Sequence, residues 1–558
     1  MGFLRNPLLG MGLALNIACA SHADALVPRR DTNNTSGQNL LTSEVADFVK
    51  EHMDYWKIPG MAIAVVDKDD VFTQGYGFSE LPDKKVTPDT LFYGGSTTKA
   101  QTAACLSVLI KNGSYDALAN GWSTNISSIL KDDFVLEDKW ATEHITLDDA
   151  VSHRSGLPRH DRALMREKNG VPLSTADLVR NLRNLPYIHE PRVKSYYNNH
   201  MYVVLSYVIE TVTKKGLKQV MRELIWNPLG MNSTYLGLED AQKAHKDLAK
   251  GYLWINQTQI NGTRQANQTG QFKPVTYMPM TDLSGSAAVI SNVRDYAQWI
   301  RGLVNHTHIF SDDVHDDIRT PRFIFSPAPQ FGYDIDLYSL GWFRNVVQGH
   351  LFYRHDGVML GFRSMVYWFP KEKFGFVIFA NSDTAETANN IIARKLVAMK
   401  LNIPEKEVFN VTASREGMTT PEQDFEAAVK KYYPNHTISD PSFSFKDMEG
   451  TYVNVGYGTM TLRSAQGPPS KTWRARPKNE TVLIAERPDM SWDYTYTFRH
   501  IFGDKWISGL SWREERFNAG SFGPAEFVKG ADGKPAALKM TSMQGTTPEG
   551  NITYNKTG

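Results

Sequence analysis

Two residues three positions apart, Ser96 and Lys99, have the types and spacing of a nucleophile with its own base. They lie in Thr90-Leu91-Phe92-Tyr93-Gly94-Gly95-Ser96-Thr97-Thr98-Lys99, and the apolar spacing from Ala103 to Leu109 predicts a helix opened by Gly95 and Ser96. At a helix N-terminus the spare backbone N–H groups and the dipole favour a developing anion, and a residue at i+3 returns to the same face. A lysine amine stripped of water there has a lowered pKa, so it can stand unprotonated and accept a proton from a hydroxyl. A capping serine followed by a solvated lysine has the same spacing, so this pair alone does not decide between the two.

Four further segments decide. In chain order they are Ser152-His153-Arg154-Ser155-Gly156-Leu157-Pro158, then Tyr197-Asn198-Asn199 with Tyr202, then Pro228-Leu229-Gly230-Met231, and His355-Asp356-Gly357. With Ser96 and Lys99 they resemble the serine beta-lactamase and penicillin-binding-protein superfamily, whose S-x-x-K motif opens a helix in this way. All fall in the family's order between residues 43 and 402. The pattern is most similar to the class C-like branch of D-aminopeptidases, D-Ala-D-Ala carboxypeptidases, esterases and acyltransferases. Gly450-Thr451-Tyr452-Val453-Asn454-Val455-Gly456-Tyr457-Gly458 resembles the small lipocalin-like domain that some of these carry.

The resemblance implies that Ser96 attacks a carbonyl and Lys99 assists its deprotonation, through an acyl-enzyme and with no cofactor. Tyr197 would relay a proton to the leaving group and activate the deacylating water, and Asn199 would orient the lysine and the acyl group. Taken alone, Tyr197 reads as a core aromatic; as a base it needs a neighbouring cation, Lys99, to lower its pKa. The oxyanion hole would be the backbone N–H groups of Ser96 and Val358, with Gly357 leaving room at the strand edge for substrate to approach. His355 departs from the Lys-Thr-Gly of many relatives. A largely neutral histidine suits a substrate carboxylate less well than a fixed cation, which turns the expectation from penicillins or terminal D-Ala-D-Ala toward esters, amides or acyl transfer.

Other chemistries have less behind them. A G-x-S-x-G elbow is absent, so the α/β-hydrolase pattern lacks its usual signal. His350 and His355 have no supporting cluster for a metal. A non-catalytic binding module that merely retains the fold would have no chemical need for Ser96, Lys99, Tyr197 and His355 together. Lys plus Arg number 61 against 60 Asp plus Glu, so no strong field draws nucleic acid to the surface. The expected partner is a small-molecule or peptide acyl substrate.

The elements that must position these residues follow from patterning. At 558 residues the chain exceeds the size of a single core, and 41% apolar with 22% charged residues is an ordinary globular composition. The apolar run from Leu8 to Ala20 after Arg5, with Ala18 and Ala20 near its end, reads as a secretory signal too short to span a membrane. Sequons such as Asn112, Asn125, Asn232, Asn305, Asn435 and Asn551 agree with export. Cys19 falls in the signal, which leaves Cys105 as a small buried hydrophobe with no partner for a disulfide.

The expected organisation is a signal over 1–20, a flexible leader over 21–42, a catalytic domain over 43–402, a linker over 403–443 with a helix from Pro421 to Tyr432, and a C-terminal β-barrel over 444–558. The fold class is α+β: an antiparallel sheet flanked by helices, with a separate all-β, lipocalin-like domain. Met61–Val66, Val71–Thr73, Phe362–Phe369 and Phe374–Ala380 read as strands of the sheet, and Thr384–Leu401 as a helix. In the barrel region Gly458–Leu462, Trp492–Phe498 and Ala537–Met540 read as strands, and Trp473, Trp492, Trp506 and Trp512 as core residues, any of which reaches the catalytic cleft only if the barrel packs beside it.

Overall fold

The computed structural model describes residues 36–244, 246–256, 270–328, 334–408, 421–437, 439–465, 481–492, 494–512, 521–544 and 547–557. The expected signal at 1–20 and Trp473 lie outside these residues. The core of the catalytic domain is an antiparallel sheet of β1 (Gly60–Asp67), β2 (Asp70–Glu80), β3 (Lys84–Lys85), β4 (Phe323–Ser326), β5 (Asp336–Tyr338), β6 (Phe343–Val347), β7 (His350–Met359), β8 (Phe362–Phe369) and β9 (Phe374–Ala380). Their spatial order is β4-β5-β6-β7-β8-β9-β1-β2-β3. The two ends of the domain thus meet where β1 pairs with β9, from Met61↔Ala380 to Asp67↔Phe374.

β1 is buried at every position, and its alternation explains why. Ala62, Ala64 and Val66 enter the apolar cluster on one side of the sheet, while Met61, Ile63 and Val65 enter the cluster on the other. A strand sandwiched in this way reads as an uninterrupted apolar run, because both side-chain rows need a dry partner. On the first side lie α2 (Thr98–Asn112), α3 (Asn199–Thr213) and α4 (Val293–Val304); on the second, α1 (Ser43–Trp56) and α5 (Ala385–Leu401). Each fully buried Val or Ile removes enough surface from water to contribute about 1.5–3 kcal/mol.

Two segments are better fastened than their composition implies. In the expected leader, the Gly37 and Gln38 N–H groups donate to the carboxylates of Asp70 and Asp67, at 2.6 and 2.9 Å, and Leu40 is buried. In the expected linker, α6 (Pro421–Tyr432) lays Phe425 and Ala428 against Ile507 and Phe522 of the barrel. Polar and charged composition signalled exposure there, but a few apolar residues at helical spacing were enough to dock.

The C-terminal barrel closes through eight antiparallel strands, β10 (Gly450–Asn454), β11 (Gly458–Ala465), β12 (Val482–Glu486), β13 (Tyr494–Phe502), β14 (Lys505–Trp512), β15 (Gly523–Lys529), β16 (Pro535–Gln544) and β17 (Thr547–Lys556). Pairing of Tyr452 with Lys556 shuts it, so no edge is left open. Its filling, including Tyr452, Leu483, Phe498 and Trp506, belongs to the same continuous apolar cluster as α2 and α3. The two domains therefore share a core across their junction.

Candidate active site

The turn that carries Ser96 is held from several sides. Gly95 adopts φ +54, in the left-handed region, and a Cβ there would stand 3.1 Å from the Val358 nitrogen and 3.2 Å from Gly357 Cα. Glycine is needed both for the backbone angle and for the approach of β7. Thr97 and Thr98 hydroxyls donate to the Gly94 and Gly95 carbonyls at 2.9 and 2.7 Å. Ser96 accordingly lies in a 3₁₀ turn, Gly95–Thr97, one step ahead of α2, whereas the sequence placed it at the helix start itself.

Lys99, in the first turn of α2, is fully buried. Its Nζ lies 3.1 Å from Ser96 Oγ, 2.7 Å from Asn199 Oδ1 and 2.8 Å from the Ser286 carbonyl oxygen. Asn199 Nδ2 donates to Asp161 Oδ1 at 2.9 Å, which fixes the amide so that its oxygen faces the amine. Burial drives the Lys99 pKa well below that of a free lysine; Arg159 adds to this and Asp161 opposes it. A neutral amine has two N–H donors and one lone pair. In that free form Asn199 and Ser286 take the two donors and leave the lone pair for the Ser96 hydroxyl.

Arg159 Nε donates to Asp161 Oδ2 at 2.8 Å, and its guanidinium stands 5.0 Å from the centre of the Tyr197 ring. Lys99 Nζ stands 4.7 Å from the same centre. Tyr197 thus has Lys99 beside it, as the sequence reading required, and the fixed cation Arg159 as well, yet its pKa moves the other way. Burial pushes the phenol well up, and its hydrogen bond with Ser96 and the charge of Arg159 offset this only in part. The two shifts favour the protonated phenol of Tyr197 and the free amine of Lys99.

His355 is buried, with Nδ1 2.8 Å from the Asp356 carbonyl and Nε2 3.1 Å from Tyr338 Oη. Burial, reinforced by Lys99, pushes its pKa down to about 3, so the ring is neutral. Pairing of β7 with β6 ends at Phe343↔Arg354, while pairing with β8 continues to Met359↔Phe362. Residues 355–359 therefore have β8 on one side and the Ser96 turn on the other. Gly357 sits against the Gly94 carbonyl and the Ser364 hydroxyl, and the Val358 side chain is 57% exposed.

Ser96, Tyr197, Asn199, His355 and Val358 line one cleft of about 530 Å³, with Phe325 and Phe343 on its wall. Lys99 lies beneath it. Trp492 and Tyr494 of the barrel also line this cleft, whereas Trp506 fills the barrel interior. The side chain of Trp512 lies outside the described residues. Sequence reasoning missed Arg159, Asp161, Ser286 and Tyr338. For the first two the only available signal was their place directly after the Ser-Gly-Leu-Pro segment. Among the described residues no group of His, Cys, Asp or Glu could hold a metal ion, and no helix is long and apolar enough to cross a membrane. Cys105 is buried and free, its thiol pushed up by desolvation.

The Beta-lactamase family profile matches residues 45–399, which takes in every one of these groups except the barrel aromatics. This chain belongs to that family. It is a serine hydrolase of the beta-lactamase type, with a barrel appended. A relative from Aspergillus campestris (strain IBT 28561), named unguisins hydrolase, is 35% identical over 507 residues, covering 89% of each chain. The octameric penicillin-binding protein homologue from Pyrococcus abyssi superposes over 92% of this chain and 99% of its own, with a TM-score of 0.55 at 18% identity. The D-amino acid amidase from Ochrobactrum anthropi SV3 covers 64% of this chain and 99% of its own, with a TM-score of 0.50 at 19% identity. These two structures share the fold.

Proposed function

We propose that the protein is a secreted hydrolase that cleaves an amide, peptide or ester bond through an acyl-enzyme on Ser96. The observation that carries this reading is the dry amine of Lys99, held 3.1 Å from Ser96 Oγ by the acceptors Asn199 Oδ1 and the Ser286 carbonyl oxygen. In this reading the Lys99 lone pair takes the Ser96 proton as Oγ attacks the carbonyl carbon. The oxyanion forms against the N–H groups of Ser96 and Val358, where fixed dipoles in a dry site contribute most. Tyr197 donates its proton to the departing amine or alkoxide and recovers one from Lys99. Water then attacks the acyl carbonyl by the reverse route and frees Ser96.

Phe325, Phe343 and Leu360 in the wall of the cleft suit an apolar acyl group; His355 is neutral, and the fixed cations in the lining are Arg159 and Arg363. The relative named unguisins hydrolase makes unguisins the first substrates to try, alongside p-nitrophenyl esters, D-amino-acid amides and beta-lactams. Intact-mass analysis after exposure to a fluorophosphonate and to this panel tests the mechanism. A mass increase located on Ser96, absent from Ser96→Ala, is expected; labelling elsewhere, or none, would exclude the acyl-enzyme. Export is supported by the apolar run from Leu8 to Ala20, and the sequons at exposed Asn112, Asn125, Asn232, Asn435 and Asn551 accord with it. N-terminal sequencing and glycosidase treatment of the protein recovered from culture medium check both. Retention of the full chain inside the cell would exclude secretion.

A further inference from the structure

The Ser96–Lys99 pair depends on a turn that the catalytic domain does not hold alone. Lys99 is aligned by Asn199, Asn199 by Asp161, and Asp161 follows His160, whose φ of +49 lies in the left-handed region. A non-glycine residue keeps that angle only where its surroundings impose it. Within the catalytic domain, His160 Nε2 donates to the Pro186 carbonyl at 2.8 Å, and the His160 carbonyl accepts from His200 Nε2 at 3.1 Å and from the Ala163 N–H at 2.7 Å.

The other two bonds come from the barrel. The His160 backbone N–H donates to Glu549 Oε1 at 2.7 Å, and His160 Nδ1, the remaining acceptor of the ring, takes the Tyr457 hydroxyl proton at 2.5 Å. Glu549 is itself fixed, 1% exposed, with Oε2 accepting from the Ser542 hydroxyl at 2.7 Å and from Arg162 at 3.2 Å. Arg162, two residues past His160, is 3% exposed and bonds through the same nitrogen to Ser542 and Glu549. The turn 160–162 is thus gripped on both sides of Asp161 by side chains from the far end of the sequence.

We propose that Tyr457 and Glu549 of the barrel are positioning residues for the Ser96–Lys99 pair, acting through His160 and the Asp161–Asn199 link. The inference rests on the reading that Ser96 and Lys99 perform the chemistry. Without the two barrel contacts, the backbone at His160 is free to relax toward the right-handed region, which carries the Asp161 carboxylate away from Asn199. The Asn199 amide can then rotate, and the Lys99 amine loses the acceptor that directs its lone pair at Ser96. Misplacement of about 1 Å at a reacting pair costs about a hundredfold in rate. Substrate-binding walls such as Phe325 and Phe343 stand on β4 and β6 and are untouched.

The test uses the full chain with Tyr457→Phe, Glu549→Ala and Glu549→Gln, measuring kcat and KM on a p-nitrophenyl ester, the rate of fluorophosphonate labelling, and thermal unfolding. Tyr457→Phe and Glu549→Ala are expected to lower kcat and the labelling rate about tenfold to a hundredfold with KM nearly unchanged. Glu549→Gln still offers an amide oxygen to the His160 N–H and is expected to recover most of the loss. Folded variants that react at the native rate, or whose KM alone changes, would overturn the proposal. Should Glu549→Ala not fold, Tyr457→Phe, which removes a single oxygen, decides. Failure of the unaltered chain to label at Ser96 overturns the acyl-enzyme reading and this one with it; native labelling with unaffected variants overturns only this one.

Discussion

Replacing Gly357 by alanine places a methyl group where the structure has no room for one. The added Cβ would stand 2.1 Å from the Gly94 carbonyl oxygen and 2.1 Å from Ser364 Oγ, against an ordinary contact of about 3.5 Å. The obstacles cannot simply part, because Ser364 Oγ donates to that same carbonyl at 2.7 Å. Gly94 is also tied to Val289 by its N–H, at 2.8 Å, so the turn bearing Ser96 resists from behind. β7 must therefore draw back by about 1.4 Å, and the Val358 N–H goes with it. Removing one oxyanion donor costs about 10²–10³ in kcat, or about 3–4 kcal/mol of transition-state stabilisation. The assay is the pre-steady-state burst on a p-nitrophenyl ester with KM measured in parallel, beside Val358→Ala, which trims an exposed side chain but keeps the N–H. Gly357→Ala should lose about two to three orders of magnitude in acylation while Val358→Ala stays near native. A folded Gly357→Ala that acylates at close to the native rate would show that β7 does not furnish the oxyanion hole.

Three further outcomes follow from the electrostatics and the walls of the cleft. In the proposed mechanism acylation needs the free Lys99 amine, so its rate should fall as pH drops through the lowered pKa of that group. Arg159→Met, which removes a charge that depresses this pKa, should move the acid limb to higher pH, and Asp161→Asn, which removes a charge that raises it, to lower pH; shifts in the same direction would refute Lys99 as the titrating base. His355 is neutral down to about pH 3, so His355→Gln should change the rate without adding or removing a limb between about pH 5 and 9 in a stopped-flow pH profile. Trp492→Ala should alter preference among acyl chain lengths in a panel of esters by about tenfold or more while leaving small acetyl esters little affected, since one buried contact of this kind discriminates by about 1–3 kcal/mol; uniform rates across the panel would remove the barrel from the substrate wall.

Much of this was legible in the sequence where one local signal settled the matter. Phe362–Phe369 and Phe374–Ala380 are strands from the first residue to the last because both of their faces are buried and the Pro370–Lys373 turn bounds them. The helix Ala385–Leu401 begins one residue inside the expected span, and Pro421–Tyr432 matches it. Ser96, Lys99, Tyr197, Asn199, His355, Gly357 and Val358 come together because their motifs fix residue types as well as spacing. Three features lay beyond local pattern. Gly95 reads as a helix opener, but its positive φ makes a 3₁₀ turn instead. The pKa of Tyr197 depends on the balance of burial against nearby cations, which composition cannot weigh. Asp161 is an unremarkable acidic residue until folding places Asn199 beside it, and the separation of 389 positions between His160 and Glu549 leaves no periodicity to read.

Closure of the barrel carries a consequence for timing during synthesis. Its first strand waits for its last, since Tyr452 is paired across the seam with Lys556. A ribosome that has finished the whole catalytic domain has therefore not yet made the strand on which Glu549 rides. Until that strand emerges, the nascent chain presents Ser96 and Lys99 without the barrel side of their support, and a product cut short before Thr547 never gains it. Hydrolytic competence would then wait for that strand.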